Sequence, residues 1–180
     1  MQARSETWMD KSTWGDGPWQ DEPDRVEWRI GEFVALARRN RMGAWCGYIG
    51  LPPGHPWHGL HAFGDEHNSL DDIEVHGGIN YTDACMVVEG MDPQELVCHT
   101  PLPGESDDVW WLGFDCLHAW DIGPAMDAQM REAGLAPMRP NDIVYHYRDV
   151  AYVTREVEHL AEQADAALQQ EEQYPRADRP

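Results

Sequence analysis

The chain is short of positive charge: 13 Lys and Arg stand against 33 Asp and Glu, a formal charge of −20 at pH 7. A field of that sign repels phosphate backbones, which argues against direct nucleic-acid binding and leaves small molecules or basic proteins as partners. No run of about 18 apolar residues occurs, and the opening MQARSETWMDKS lacks the apolar stretch of a signal peptide, so the expectation is a cytoplasmic protein without a membrane. Cysteine is sparse. Cys46, Cys85, Cys98 and Cys116 contain no C-x-x-C pair, and with no export signal they are read as four reduced, mostly buried thiols. G-x-x-x-x-G-K-[ST], G-x-G-x-x-G, G-x-S-x-G and H-E-x-x-H are all missing. Nucleotide triphosphate use, dinucleotide binding, serine hydrolysis and zincin proteolysis therefore have no motif support.

What is present suits one core of ordinary size: 180 residues, 42% hydrophobic, with nine tryptophans. Residues 1–24 set Trp8, Trp14 and Trp19 among Gly, Pro and acidic residues, which predicts an arm with little regular structure that pins rings onto the body. A single domain is expected over 25–170, and a disordered tail over 171–180, where nothing can be buried. VEWRIGEFVALARR reads as a hairpin about Gly31, and AWCGYIG as a strand. Arg38, Arg39 and Arg41 form the dense basic cluster, placed to offset the surrounding acidity or to hold an anion. LPPGHPWHG is a stiff loop carrying His55 and His58, with His61 just beyond; these are read as exposed rather than as a metal array. IEVHGGINYT predicts strand, turn and strand, CMVVEG and ELVCHT two further strands, and VWWLGF a central one. GPAMDAQMREAG suits a short helix with Pro124 in its first turn. From Asp149, a plausible N-cap, to Leu168, apolar residues recur at three- and four-residue steps, the mark of an amphipathic helix. The fold expected is α+β: a mostly antiparallel sheet of five to seven short strands with the C-terminal helix packed on it.

The stretch WWLGFDCLHAWD, residues 110–121, concentrates the chemistry. Alternation along a strand points Trp110, Leu112 and Phe114 one way and Val109 and Trp111 the other, as in a strand buried on both faces. Such a strand delivers Asp115, Cys116 and His118 to its end, where apolar walls make each polar group more consequential. Asp115, His118 and Asp121, spaced D-x-x-H-x-x-D, offer one nitrogen and two oxygens. That set suits Zn, Mn or Fe, and equally a water-activating acid/base pair without metal. His76, beside Gly77 and Gly78, is the natural second nitrogen. The expected metal set is thus His76, Asp115 and His118; the expected catalytic pair is His118 as base with Asp115 orienting it. Cys116, Asp121 and Arg148, the last an anion holder, complete an expected ligand-binding wall. The competing structural reading has Asp115 capping a turn, His118 satisfying backbone groups and Cys116 packed in the core. A structural zinc using Cys98 or Cys116 is a third option.

In EPDRVEWR, RNRMGAWCGYIGLPPGHPWHG, VHGGINY, DDVWWLGFDCLHAWD and YRDVAYVTREVEHLAEQ, blocks that span most of residues 22–163, the chain resembles an uncharacterised family of small proteins found in bacteriophages, actinobacteria and other bacteria. In that family a glycine more usually precedes the last aspartate of the central block, where this chain has Trp120. The resemblance carries no activity. It implies a phage-type or prophage accessory protein acting inside a bacterial cell, and makes an anti-defence or host-interaction role plausible. Two functions are therefore expected to compete: a His/Asp/Cys pocket for a small ligand or metal, with hydrolysis as its candidate activity, and an acidic polyanion mimic that inhibits a basic host or phage protein.

Overall fold

A computed structural model describes residues 3–64, 67–86, 90, 92–104, 107–137, 139–140 and 142–173. Six strands form one antiparallel sheet: β1 (Arg4–Glu6), β2 (Arg25–Ile30), β3 (Phe33–Arg39), β4 (Trp45–Leu51), β5 (Tyr81–Ala84) and β6 (Trp110–Asp115). Their spatial order is β1-β2-β3-β4-β6-β5. Two α-helices follow, α1 (Pro124–Glu132) and α2 (Val150–Gln173), so the α+β architecture expected from the sequence is the one observed.

Strands β3, β4 and β6 occupy the middle, and their near-continuous apolar runs follow from burial on both faces. On one face Phe33, Ala35, Ala37, Ile49, Leu112 and Phe114 meet Val153, Val157, Leu160, Ala161 and Ala164 of α2. The other face carries Val34, Leu36, Cys46, Tyr48 and Trp111 against Val97 and Val109. Helix and sheet approach most closely at Gly47, where a Cβ would lie 2.6 Å from Val157 Cγ2 and 2.6 Å from Phe114 Cζ. The helix starts where expected: Asp149 Oδ1 accepts from Tyr152 N at 2.7 Å, the bond of an N-cap to the third helical residue. It runs past Leu168 to Gln173. Of the disordered tail expected at 171–180, residues 171–173 belong to the helix, and 174–180 lie outside the described residues.

Little regular structure was expected of the N-terminal residues, with rings pinned onto the body, and before Asp24 they hold β1 and a short 3-10 turn at Pro18–Gln20. β1 pairs with β2, and Trp14 is 5% exposed. An ionic network beneath them holds the segment: Asp24 pairs with Lys11 at 2.8 Å and Arg39 at 3.3 Å, and accepts from the backbone of Trp8 and Met9. Glu22 pairs with Arg39 at 2.5 Å and accepts from Trp45 Nε1 and, at the start of α2, from Val150 N at 2.9 Å. Two buried cations face two acids. That balance is the condition under which such charges tolerate removal from water.

Two further expectations fail. IEVHGGINYT yields only β5 after its turn, and ELVCHT forms no strand. Within CMVVEG, Cys85 and Met86 are not in a strand and residues 87–89 lie outside those described. The apolar residues at 97 and 109 are buried by side-chain packing across the second sheet face, so their β-like composition is spent without ladder pairing. Arg25 fixes this strap through the carbonyls of Leu96 and Cys98. Nor are all four cysteines thiols: Cys85 and Cys98, at the two ends of a 13-residue separation, form a disulfide, leaving Cys46 and Cys116 free and buried. The correction has a tertiary cause, because only the strap's path brings the two sulfurs together. It also removes the thiol argument for a reducing compartment.

Candidate functional site

The site forms where β6 ends and α2 begins. Asp121 follows a turn closed by its own N–H to His118 O at 3.0 Å, and a single parallel bridge to His146 holds it beside the segment leading into α2. There its carboxylate is 2% exposed at the side chain and fully engaged. Oδ2 accepts from His76 Nε2 at 2.7 Å and from the backbone N–H of His118 at 2.9 Å, and Oδ1 from Arg148 Nε at 2.8 Å. Burial pushes its pKa up most strongly, but the hydrogen bonds from His76, Arg148 and His118 N together outweigh it and hold the carboxyl at about 2. Asp121 is therefore an anion at neutral pH and can only accept.

That fixes the tautomer of His76. Nε2 carries the proton given to Asp121, so in the neutral ring Nδ1 accepts from Tyr152 OH at 3.0 Å. The backbone of His76 is docked as well, its N–H donating to Glu156 Oε2 at 2.9 Å. Arg148 lies over the Tyr152 ring, 4.7 Å from its centroid. Burial comes first in raising the Tyr152 pKa, with Glu156 adding to it, so the phenol keeps its proton. Asp121, His76 and Tyr152 thus form a continuous hydrogen-bonded chain.

His118 stands in front of this chain, its ring centroid 5.2 Å from that of His76. It is exposed, and its ring nitrogens make no hydrogen bond to the described residues. The ring can take this position only because residue 77 is glycine: a Cβ there would lie 1.8 Å from His118 Nε2, and the φ of +70° is one that L side chains rarely adopt. His118 and Asp121 form one wall of an open cleft of about 440 Å³, with Met126, Met130, Arg139 and Tyr145 among the others. Arg139 is paired with Asp127 and lies over the Tyr145 ring at 5.3 Å. Trp120 is 51% exposed and meets Tyr145 edge-on.

Sequence-based expectation and geometry part at several residues. His76, His118 and Asp121 are together. Asp115 is not with them: its Oδ2 accepts from Asn80 Nδ2 at 2.5 Å and its Oδ1 from Leu117 N at 2.8 Å, a turn cap at the strand end. The role foreseen for Asp115, orienting a histidine, is filled by Asp121. Cys116 is 1% exposed on the helix-covered face, and burial drives its thiol pKa far upward, so it is a core residue rather than part of a ligand-binding wall. Arg148 gives its Nε to Asp121 and lies over the Tyr152 ring. The metal set His76, Asp115 and His118 does not assemble, since both ring nitrogens of His76 and both oxygens of Asp115 have other partners. Among the described residues no three His, Cys, Asp or Glu side chains group so as to hold a metal ion.

Tyr152, Glu156 and Asn80 escaped the sequence reading. A signal for the first two existed. Tyr152, Glu156 and Gln163 fall on one side of an α-helix, at steps of four and seven, beside the apolar stripe. Gln163 exchanges two hydrogen bonds with the backbone of Glu74, so this polar stripe docks the whole 74–76 segment. His55 reaches the same helix by another route: it is buried, accepts from Trp57 N through Nδ1 and bonds Ala164 O through Nε2 at 3.0 Å, a structural role for a histidine expected to be exposed.

Comparison with family models, with curated proteins and with solved structures finds no match. No helix among the described residues is long and apolar enough to cross a membrane.

Proposed function

We propose that this chain is a phage-type accessory protein that binds a small ligand in the cleft beside His118, with His118 as the group that exchanges a proton with the ligand. One observation carries the reading. The buried carboxylate of Asp121 bonds the His76 ring and the backbone of His118 through the same oxygen, so the His76 ring and the His118 backbone share one anchor, and His118 lines the cleft. A histidine that is exposed, held by its backbone and free at both ring nitrogens is what a general base needs. His76 and Tyr152 then serve as positioning residues behind it. Met126, Met130 and Tyr145 supply apolar surface for the body of the ligand, and hydrolysis is the reaction class the pair suits, with water as the activated group. No metal takes part in this reading.

The test is a thermal-shift screen of small esters, phosphoesters and amides, with hydrolysis followed for every compound that raises Tm. The His118→Ala protein should melt near the parent and lose both the shift and any turnover, by about a hundredfold or more for a general base. A variant that keeps the shift and the turnover sinks the proposal, and one that unfolds returns His118 to a structural role.

The charge of −20 favours a second reading, an acidic inhibitor docked on a basic host or phage protein. Its binding would survive His118→Ala and weaken steeply with salt. Both readings place the protein inside a bacterial host cell.

A further inference from the structure

In so acidic a chain, cations should find carboxylates. Most arginines of the sheet region do: Arg39 with Glu22 and Asp24, Arg25 with Glu27, and Arg41 with both oxygens of Glu95. Arg38, half-buried near the end of β3, does not. Its Nη1 donates to Arg39 O at 3.2 Å, while its Nε is shut off from water and meets no acceptor. No ion pair to Arg38 exists among the described residues. Arg25 sits directly opposite it in the β2–β3 register, so two guanidinium groups share one face. Glu95, an acid lining the same cleft, is already taken by Arg41.

Arg38 lines a cleft of about 400 Å³ with Trp8, Met9, Met42, Arg41 and Gln94. The arm residues in that wall are pinned, since Trp8 N and Met9 N both donate to the buried Asp24 at 2.8 and 2.9 Å. The cleft, which Arg39 and Glu95 also line, therefore combines a preformed apolar wall with one guanidinium, that of Arg38, that no acid among the described residues pairs. From this we infer a second binding site, distinct from the His118 cleft, that takes a small oxyanion, carboxylate or phosphate, carried on an apolar or aromatic body.

An oxyanion meets the terminal guanidinium nitrogens of Arg38 in a charge-assisted bond, the enclosed Nε taking no part. Trp8 and the two methionines give the body of the ligand a surface to cover. The overall negative charge opposes approach only weakly, because at physiological salt fields fade over about 8 Å, and there Arg25 and Arg41 are balanced by Glu27 and Glu95 while Arg38 has no ion-pair partner among the described residues. Glu95 acts as the resident competitor, holding Arg41 out of the site until an anion arrives.

The experiment titrates phenyl phosphate, phenylacetate and inorganic phosphate, in separate arms, into the full ¹⁵N-labelled chain and follows the arginine Nε–H resonances. The Arg38 signal should move and saturate, with the two phenyl ligands acting at lower concentration than inorganic phosphate; the first two arms tell which oxyanion is preferred. Arg38→Gln should weaken binding by about tenfold or more, the loss of one charge-assisted pair. Glu95→Gln, an exposed-rim change that leaves the fold alone, should tighten it by freeing Arg41. The inference is overturned if no arm moves the Arg38 resonance at millimolar concentration, if Arg38→Gln binds as the parent does, or if Glu95→Gln weakens binding. Should Arg38→Gln not fold, the direction of the Glu95→Gln change decides.

Discussion

Gly77 shows how one residue sets the candidate site. It is placed by its φ of +70°, and it clears the space in which the His118 ring lies. Gly77→Ala meets both demands at once: an L side chain in the left-handed region costs about 1–2 kcal/mol, and the new methyl must push His118 away from His76. The expected result is a modest fall in Tm with a large change in the His118 ring resonances, while the Asp121–His76 hydrogen bond remains. An unchanged His118 spectrum would mean that the two rings are not packed as described. By contrast, Cys116 and Asp115, which look equally chemical in the sequence, are spent on burial and on a turn cap. Their neighbours, not their identities, separate them from Asp121.

At the scale of elements, α2 carries two stripes with different duties. Val153, Val157, Leu160, Ala161 and Ala164 are all at most 1% exposed and cover the sheet. Tyr152, Glu156 and Gln163 hold the 74–76 segment, and with it His76. Helix packing and site assembly are thus one event, and loosening the first should dissolve the second. Val157→Asp puts an unpaired charge against Gly47 and Phe114, at a cost of several kcal/mol, about 3–5 by comparison with uncompensated buried charges. Chemical denaturation of that variant should show the loss. A midpoint like the parent's would refute the packing. The start of the same helix is capped twice, by Asp149 within the chain and by Glu22 from the N-terminal segment. That second cap ties the first 24 residues to the far end of the sequence.

For the whole molecule the sheet is sheathed unequally, by a long helix on one face and by a strap of mostly irregular backbone on the other. The strap is closed by Cys85–Cys98 and clamped by Arg25. In the chain-entropy account a loop of about this length gains roughly 3 kcal/mol from its cross-link. Denatured without reductant and with air oxidation blocked, the protein should therefore show two reactive thiols, Cys46 and Cys116, and four after reduction. Reduction should lower Tm by several degrees, on the order of 2–4 °C per kcal/mol for a chain of this length. A count of four before reduction would remove the cross-link, and with it the reason for the strap's order.

The sequence by itself determined what depends on near neighbours. Alternation in VWWLGF assigned each side chain of β6 to its face, and three- and four-residue steps located α2 and its Asp149 cap. Proline, glycine and charge marked the turns. The meeting of VHGG with the end of WWLGFDCLHAWD was also expected, but the strand expected to deliver His76 is absent, and side chains of α2 dock the 74–76 segment instead. Only the tertiary structure decided which carboxylate those histidines use. Asp115 and Asp121 differ by six positions along the chain, yet one faces Asn80 and the other faces His76 and Arg148. The choice is made by α2 and the segment before it, brought from 27 or more residues away, and no local periodicity encodes such a contact. The disulfide and the strap have the same origin: apolar residues announce that they will be buried, but whether by a ladder or by packing across a face is settled by what else the sheet must cover.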